Sequence, residues 1–326
     1  MRAEFAVLGA GAIGSILAAH LARAGHRVAV IARGERARAV EREGLRIRGL
    51  ADLAVRVPVV TDPGQLESAD TLIVAMKTHG TGAALERLRR VQVGAALSIQ
   101  NGVLKNELLA RTFGAPRVLG ALADTSGELL PSGEVLFTRN VSLPLGELAG
   151  GISERAQRIA GMIDEAGVRS SAVADIVARE WGKFVVWLGL MSMAVSTRSA
   201  TWRYLADPDC GWVLIRLVRE AAQLARAQGI ALTQGTAALP LGALIDVPEQ
   251  EAIETLRGIG EEMRRRAPEH RMSSLQDLEA GRPLEVEETF GYAVRNARKI
   301  GLSVPLLEAF YHTVAAIDRT RRTGTS

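Results

Sequence analysis

Cysteine is all but missing from this chain: Cys210 is the only one in 326 residues. One thiol excludes an internal disulfide framework and a thiolate-cluster metal site, and it suits a reducing compartment. Histidine is scarce as well. His20, His26, His79, His270 and His312 show no ligand spacing such as H-E-x-x-H, so no metal is expected, and no Gly-x-Ser-x-Gly elbow offers a serine nucleophile. The uncharged apolar run at residues 184–197 is shorter than the about 20 residues a membrane span needs and reads as a buried helix. Met1 leads within a few residues into a strand, leaving no room for a signal peptide. A cytoplasmic protein without a membrane partner is the expectation.

What is present is the balance of an ordered globular protein, with 48% hydrophobic and 23% charged residues. The net charge of +4 and the pI near 9.6 come from arginines interspersed with glutamates and aspartates. That pattern belongs to solvated amphipathic faces and argues against a nucleic-acid groove. A chain of this length exceeds the about 250–300 residues at which single cores divide, so two domains are expected.

Residues 4–8 are a short β-rich run, 12–24 a helical one and 27–31 a second strand, with Gly25 in the place of a helix C-cap. Further strands are expected at 45–48, 55–60, 72–75, 95–99 and 118–120, with helices at 80–90 and 106–113. This alternation implies a largely parallel sheet covered on both faces. Between 126 and 148, Gly127, Pro131, Ser132, Gly133 and Pro144 punctuate β-prone pieces at 135–138 and 141–145, read as antiparallel strands extending the sheet. A helix at 153–166 precedes a last apolar run at 168–173. From 174 onward only helices are expected, at 179–196, 210–228, 249–266, 273–280, 286–300 and 306–321, followed by a frayed tail from Thr323.

Directly after the first strand stands G-x-G-x-x-G, written Gly9-Ala10-Gly11-Ala12-Ile13-Gly14. The first glycine makes the tight turn, the second lets backbone approach a pyrophosphate, and the third lets helix and strand pack closely. The helix N-terminus then offers N–H groups and positive dipole to the phosphates. The motif is weak alone; strand, loop, helix and second strand in order make it a dinucleotide-binding unit. The fold class is therefore α/β: a Rossmann-type NADP-binding domain over 1–173 and an all-helical domain over 174–326. An NAD site carries Asp or Glu at the end of the second strand. Here Ala32 and Arg33 stand there. A guanidinium at that point pairs with the 2′-phosphate of NADPH, although Glu35 lies nearby and a solvated turn arginine is the plainer alternative.

Hydride transfer to a carbonyl needs a proton donor for the developing alkoxide. Lys183, in Glu180-Trp181-Gly182-Lys183-Phe184, is one ammonium in an otherwise apolar helix, where partial desolvation makes a usable acid. Chemistry alone favours a lysine that reaches solvent at the helix edge. A carboxylate partner is sought in residues 273–288, but Glu285 is not separable there from Glu279, Glu287 and Glu288.

The glycine loop, Lys77 after the fourth apolar strand, Gln100-Asn101-Gly102 after the next, Glu180-Trp181-x-Lys183, and Ser273-Ser274…Gln276-Asp277…Gly281-Arg282…Glu285 occur in the order of the ketopantoate reductase (2-dehydropantoate 2-reductase) family, which the chain resembles over nearly its whole length. The resemblance implies an NADPH-dependent reductase of a 2-oxo acid, with substrate bound between a Rossmann domain and a helical one. Gly9, Gly11 and Gly14 with their loop neighbours Ala10, Ala12 and Ile13 would hold the pyrophosphate and Arg33 the 2′-phosphate, with Lys77 and Asn101 near the cofactor. Lys183 would be the general acid, Glu285 its catalytic partner and Ser273 a substrate contact.

One departure bears on the substrate. Pantoate-forming members carry asparagines one and two helical turns beyond the lysine, where this chain has Trp187 and Met191. Spacing of four and eight puts all three on one stripe. Trp and Met cannot supply the amide hydrogen bonds that a hydroxyl-bearing 2-oxo acid uses, so a bulkier, less polar tail is expected, unless the stripe faces the domain core. An imine reductase on the same scaffold and a non-catalytic NADP(H)-binding regulator are the rival readings; a regulator has no need of Lys183 or Glu285. Trp202 and Tyr204 belong either to the surface of a homodimer or to the helical core.

Overall fold

The computed structural model describes residues 1–232 and 239–323. The chain divides into two compact units, Met1–Glu180 and Trp181–Ser326.

The first unit runs β1 (Arg2–Leu8), α1 (Ala12–Arg23), β2 (Val28–Ile31), α2 (Gly34–Glu43), β3 (Leu45–Gly49), β4 (Leu53–Val55), β5 (Val59–Val60), β6 (Ser68–Val74), α3 (Thr81–Arg87), β7 (Gln92–Ser98), α4 (Leu104–Phe113), β8 (Val118–Ala121), β9 (Asp124–Leu129), β10 (Val135–Glu147), α5 (Glu154–Glu165) and β11 (Ser170–Ala172). The sheet order is β4-β3-β10-β8-β7-β6-β1-β2-β5, with β9 and β11 both paired to β10. From β5 through β2, β1, β6 and β7 to β8 every pairing is parallel. β10 then joins β8 antiparallel, as expected of an extension to the sheet.

Alternation along the strands feeds two cores. Phe5 and Val7 face one way, toward Ile16, Leu17 and Leu21 of α1 and Ile159 and Ile163 of α5. Ala6 and Leu8 face the other, toward Leu85 of α3 and Leu109 and Phe113 of α4. Burial on both faces is what a parallel sheet requires, since its crossovers lay helices over each side.

Three local expectations need correction. Residues 55–60 are not one strand: Val55 ends β4, which pairs with β3, and β5 pairs with β2. Pro58 lies between the two, removing a ladder donor. The pieces at 135–138 and 141–145 are a single strand, β10, joined through Arg139 and Asn140 by shifts of register against β9. Helix α2 was not expected; its sequence is dominated by charge, and only Ala37 and Val40 are buried.

The second unit is helical. Helix α6 (Ile176–Thr197) begins before the division, and α7 (Thr201–Ala206), α8 (Pro208–Ala227), α9 (Gly242–Ile245), α10 (Glu249–Arg266), α11 (Ser273–Glu279), α12 (Phe290–Lys299) and α13 (Pro305–Thr323) follow. Among the described residues no strand occurs after Ala172. Thr323 closes α13, and 324–326 of the expected tail lie outside the described residues. Helix α8 is started by the Asp207 carboxylate, which accepts from the Cys210 N–H at 2.8 Å. The start of α13 is capped by a residue of another helix: Glu220 of α8 accepts from the Leu306 and Leu307 N–H groups at 3.1 and 2.8 Å. Tyr204 is buried in this unit, which assigns it to the helical core; Trp202 is half-buried under the guanidinium of Arg203. No described helix is long and apolar enough to cross a membrane.

His20 of α1 ties the first unit together. Its Nδ1 lies 2.9 Å from the Ala166 carbonyl, which can only accept, so the proton sits on Nδ1; buried Nε2 has no partner. Burial pushes the imidazole pKa below its ordinary value, opposed by the bond to Ala166 and aided by Arg23. The folded state thus resists a proton that the unfolded chain accepts below about pH 6.5. Stability from a neutral His20 is present above that pH and is lost as the pH falls toward the depressed folded value. We expect the Tm difference between wild type and His20→Asn to move against the wild type between pH 8 and pH 5 in thermal melts; a pH-independent difference would show that His20 does not titrate as described.

Candidate active site

The cofactor-site residues expected in the first unit all follow the C-terminal ends of parallel strands: Gly9 after β1, Arg33 after β2, Lys77 after β6 and Asn101 after β7. β1 lies between β2 and β6, so the chain reverses its direction of winding there, and ligands of open α/β sheets bind beside such a switch point.

The glycine loop is pressed into that point. Gly9 has φ +110°, and a Cβ on it would lie 2.7 Å from the Met76 nitrogen at the end of β6. A Cβ on Gly14 would lie 2.1 Å from the Gly9 carbonyl oxygen. Packing alone therefore requires these two glycines. Gly11 is different, because a Cβ there would meet only the Ala75 carbonyl, at 4.0 Å. It stands at the N-cap of α1 in extended conformation, with no side chain capping the helix. A bare backbone and an open helix start with no internal reason for glycine fit the pyrophosphate of a dinucleotide.

Arg33 is exposed at the N-cap of α2. Three residues on, Arg36 turns inward: its Nε donates to the Ala10 carbonyl at 2.7 Å, one terminal nitrogen to the Gly133 carbonyl at 2.8 Å and the other to Ser15 Oγ at 3.0 Å. Ser15 Oγ also donates to the Ala10 carbonyl, at 3.1 Å. The loop peptide is held from two sides. Burial lowers the pKa of the Arg36 guanidinium, partly offset by Glu43.

Beyond β7 and β8, a buried ion pair organises the strand ends. Lys105 Nζ lies 3.1 Å from Glu180 Oε1, and both side chains are almost wholly enclosed. Lys105 also donates to the carbonyls of Gln100 and Ala121, at 3.0 and 2.6 Å, so its three hydrogens all have acceptors. Glu180 accepts in addition from the Ala121 N–H at 3.0 Å and from Asn106 Nδ2 at 2.6 Å. Gln100 donates to the Met76 carbonyl at 2.8 Å and to Thr81 Oγ1 at 2.7 Å. Lys77, exposed, and Asn101, half-buried, are carried on loops fixed by these bonds.

In the second unit Lys183 is half-buried on α6, while Trp187 and Met191 on the same stripe are 6% and 0% exposed. Trp181 and Tyr292 both meet Phe184 edge-on, which packs α6 against α12. Burial distinguishes the four acidic candidates: Glu285 is 6% exposed, whereas Glu279 and Glu287 are exposed and Glu288 is half-buried. Glu279 pairs with Arg271, and Glu287 with Arg295 and Tyr311. The segment before Glu285 is held by Asp318, which accepts from the Leu284 N–H at 3.0 Å. Ser273 is exposed at the start of α11.

Residues 5–150 match the family described as Ketopantoate reductase PanE/ApbA, and residues 175–318 match that described as Ketopantoate reductase PanE/ApbA C terminal. The chain belongs to the ketopantoate reductase family. A 2-dehydropantoate 2-reductase of Archaeoglobus fulgidus is 28% identical over 312 residues, covering 96% of this chain and 97% of the relative. The crystal structure of a PanE/ApbA family ketopantoate reductase from Ralstonia eutropha superposes with a TM-score of 0.81 at 24% identity, over 99% of this chain and all of that one. A D-mandelate dehydrogenase solved with NADH and anilino(oxo)acetate gives 0.82 at 18% identity, over 98% and 99% of the two chains, which is a likeness of fold.

Reading the sequence missed Arg36, Lys105 and the partner role of Glu180 in this family member. For Lys105 a signal exists: it shares the i, i+4, i+8 stripe of Leu109 and Phe113, the buried face of α4. Nothing in the sequence separates Arg36 from its neighbours Arg33 and Arg38. Removing one member of the buried pair strands the other, so Glu180→Ala should cost about 3–5 kcal/mol in urea unfolding, and the double variant Lys105→Met/Glu180→Leu should recover most of it. A loss below about 1 kcal/mol in the single variant would show the pair to be solvated in solution.

Proposed function

We propose that this chain is an NADPH-dependent reductase of 2-oxo acids, with residues 1–173 as the cofactor domain and 174–326 as the substrate domain. The observation that carries the reading is Gly11, open on its side-chain face at the start of α1 with no side chain capping the helix, where nothing among the described residues calls for glycine. Gly9, Ala10, Gly11, Ala12, Ile13 and Gly14 hold the pyrophosphate through backbone N–H groups. Arg33 pairs with the 2′-phosphate; β2 is followed by Ala32 and Arg33, with no carboxylate at either position for the ribose hydroxyls. Lys77 and Asn101 flank the cofactor.

Reduced nicotinamide supplies the hydride. The remaining work is proton and charge management by the protein. Lys183 gives its proton to the carbonyl oxygen as negative charge develops there, which separates charge less than leaving a bare alkoxide. Glu285, the buried carboxylate of its stretch, orients the ammonium. Ser273 is a substrate contact. Trp187 and Met191 replace amide side chains along the Lys183 stripe, so the preferred 2-oxo acid has a bulkier and less polar tail than ketopantoate.

Two measurements test this. NADPH oxidation should proceed with a panel of 2-oxo acids, with higher kcat/KM for branched or aromatic tails than for ketopantoate; ketopantoate leading by a wide margin would remove Trp187 and Met191 from the substrate site. Lys183→Ala should lower kcat about 10²–10⁴-fold and leave NADPH affinity unchanged. Undiminished turnover would refute the assigned acid.

A further inference from the structure

Arg36 is half-buried, and all its bonds go to neutral acceptors: the Ala10 and Gly133 carbonyls and the Ser15 hydroxyl. Among the described residues no carboxylate lies within ion-pair distance of it, whereas many other arginines on this chain, Arg46, Arg155 and Arg216 among them, are paired. A guanidinium withdrawn from water with no carboxylate in direct contact carries an electrostatic cost, and it persists where the geometry it imposes, or an anion arriving later, offsets that cost. The geometry is on display here. The Ala10 carbonyl it grips belongs to the residue between the first two glycines of the phosphate loop. The Gly133 carbonyl belongs to the turn between β9 and β10, where φ is +83° and the Gly133 N–H donates back to the Leu130 carbonyl at 2.9 Å.

Arg36 thus clamps the phosphate loop from α1 to the β9–β10 turn, and it does so from the first turn of α2, the helix that Arg33 caps. The two arginines have separate duties by geometry. Arg33 is exposed at the helix start; every N–H donor group of Arg36 used in a bond points at the loop, its turn or its serine.

We propose that Arg36 is the positioning residue of the dinucleotide site, fixing the orientation of the loop peptides and lending positive charge to the pyrophosphate, without reading the 2′-phosphate. This inference rests on the dinucleotide reading of the glycine loop. Its signature is a loss common to NADH and NADPH, because the pyrophosphate is common to both, and no loss for a ligand that lacks a pyrophosphate.

The experiment measures Kd by nucleotide fluorescence for NADPH and NADH, and by competition for adenosine 2′-monophosphate, on wild type, Arg36→Met, Arg36→Lys and Arg33→Ala. Arg36→Met should weaken NADPH and NADH by the same factor, about tenfold to a hundredfold, with the NADPH/NADH ratio held and 2′-monophosphate binding within twofold of wild type. Arg33→Ala should do the reverse: NADPH and the 2′-monophosphate weaken, and NADH is unchanged. Arg36→Lys, which keeps the charge and loses the fork, should fall between wild type and Arg36→Met, and it decides the matter if the methionine variant does not fold. A changed NADPH/NADH ratio in either Arg36 variant would make Arg36 a reader of the 2′-phosphate and overturn the proposal. Wild-type affinities for both nucleotides in those variants would reduce it to a structural brace and overturn it equally. Wild type that binds neither nucleotide would overturn the cofactor reading itself, an outcome distinct from either failure above.

Discussion

Two atoms' worth of missing volume hold the first unit in its working shape. Hydrogen in place of a methyl at Gly9 and Gly14 lets the β1–α1 turn, the helix and the end of β6 close to backbone contact. A side chain at either position would collide with main-chain atoms, which have no rotamer into which to retreat. That closeness sets where α1 starts and which strand end it faces. The position of its open N–H groups beside the reversal of sheet order follows from it. Gly11 then serves the outside of the molecule, whereas its two companions serve the inside.

Charge is distributed around the strand ends in two distinct ways. At β7 and β8, Lys105 and Glu180 neutralise each other within a full set of hydrogen bonds, so this region is internally balanced and rigid. Beside the ends of β1 and β2, Arg36 hydrogen-bonds neutral groups only. The family likeness names a reductase, and the two groups of strand ends differ in how their buried cations are satisfied: by a carboxylate for Lys105 and by neutral acceptors for Arg36.

Much of this was legible in the sequence because periodicity survives in tightly packed elements. β1, α1 and β2 were read to within a residue or two, and α10 at its observed bounds, since each carries an unbroken apolar pattern. Helix α2 escaped because its burial is confined to two small aliphatic positions among charges. The division of β10 into two pieces arose from the polar pair Arg139 and Asn140, which mark a change of register and not an end of the strand. Glu285 was one of four equivalent carboxylates until tertiary burial separated them, and burial of a polar residue is what composition cannot report. Arg36 illustrates the same limit: its identity as a loop brace depends on a carbonyl 97 residues away.

β10 has a consequence for how members of this family can diverge. Its C-terminal half pairs with β8, while its N-terminal half pairs with β3 and β9. The register shifts between Phe137 and Ser142 uncouple the two halves. A residue gained or lost there is absorbed by the bulged middle, leaving Leu143 and Leu145 facing the core as before. The same change between Leu143 and Leu145 would turn one of the two leucines to the opposite face of the sheet. The strand therefore acts as an expansion joint, across which the flanking hairpin is free to drift in length while the parallel sheet keeps its alignment.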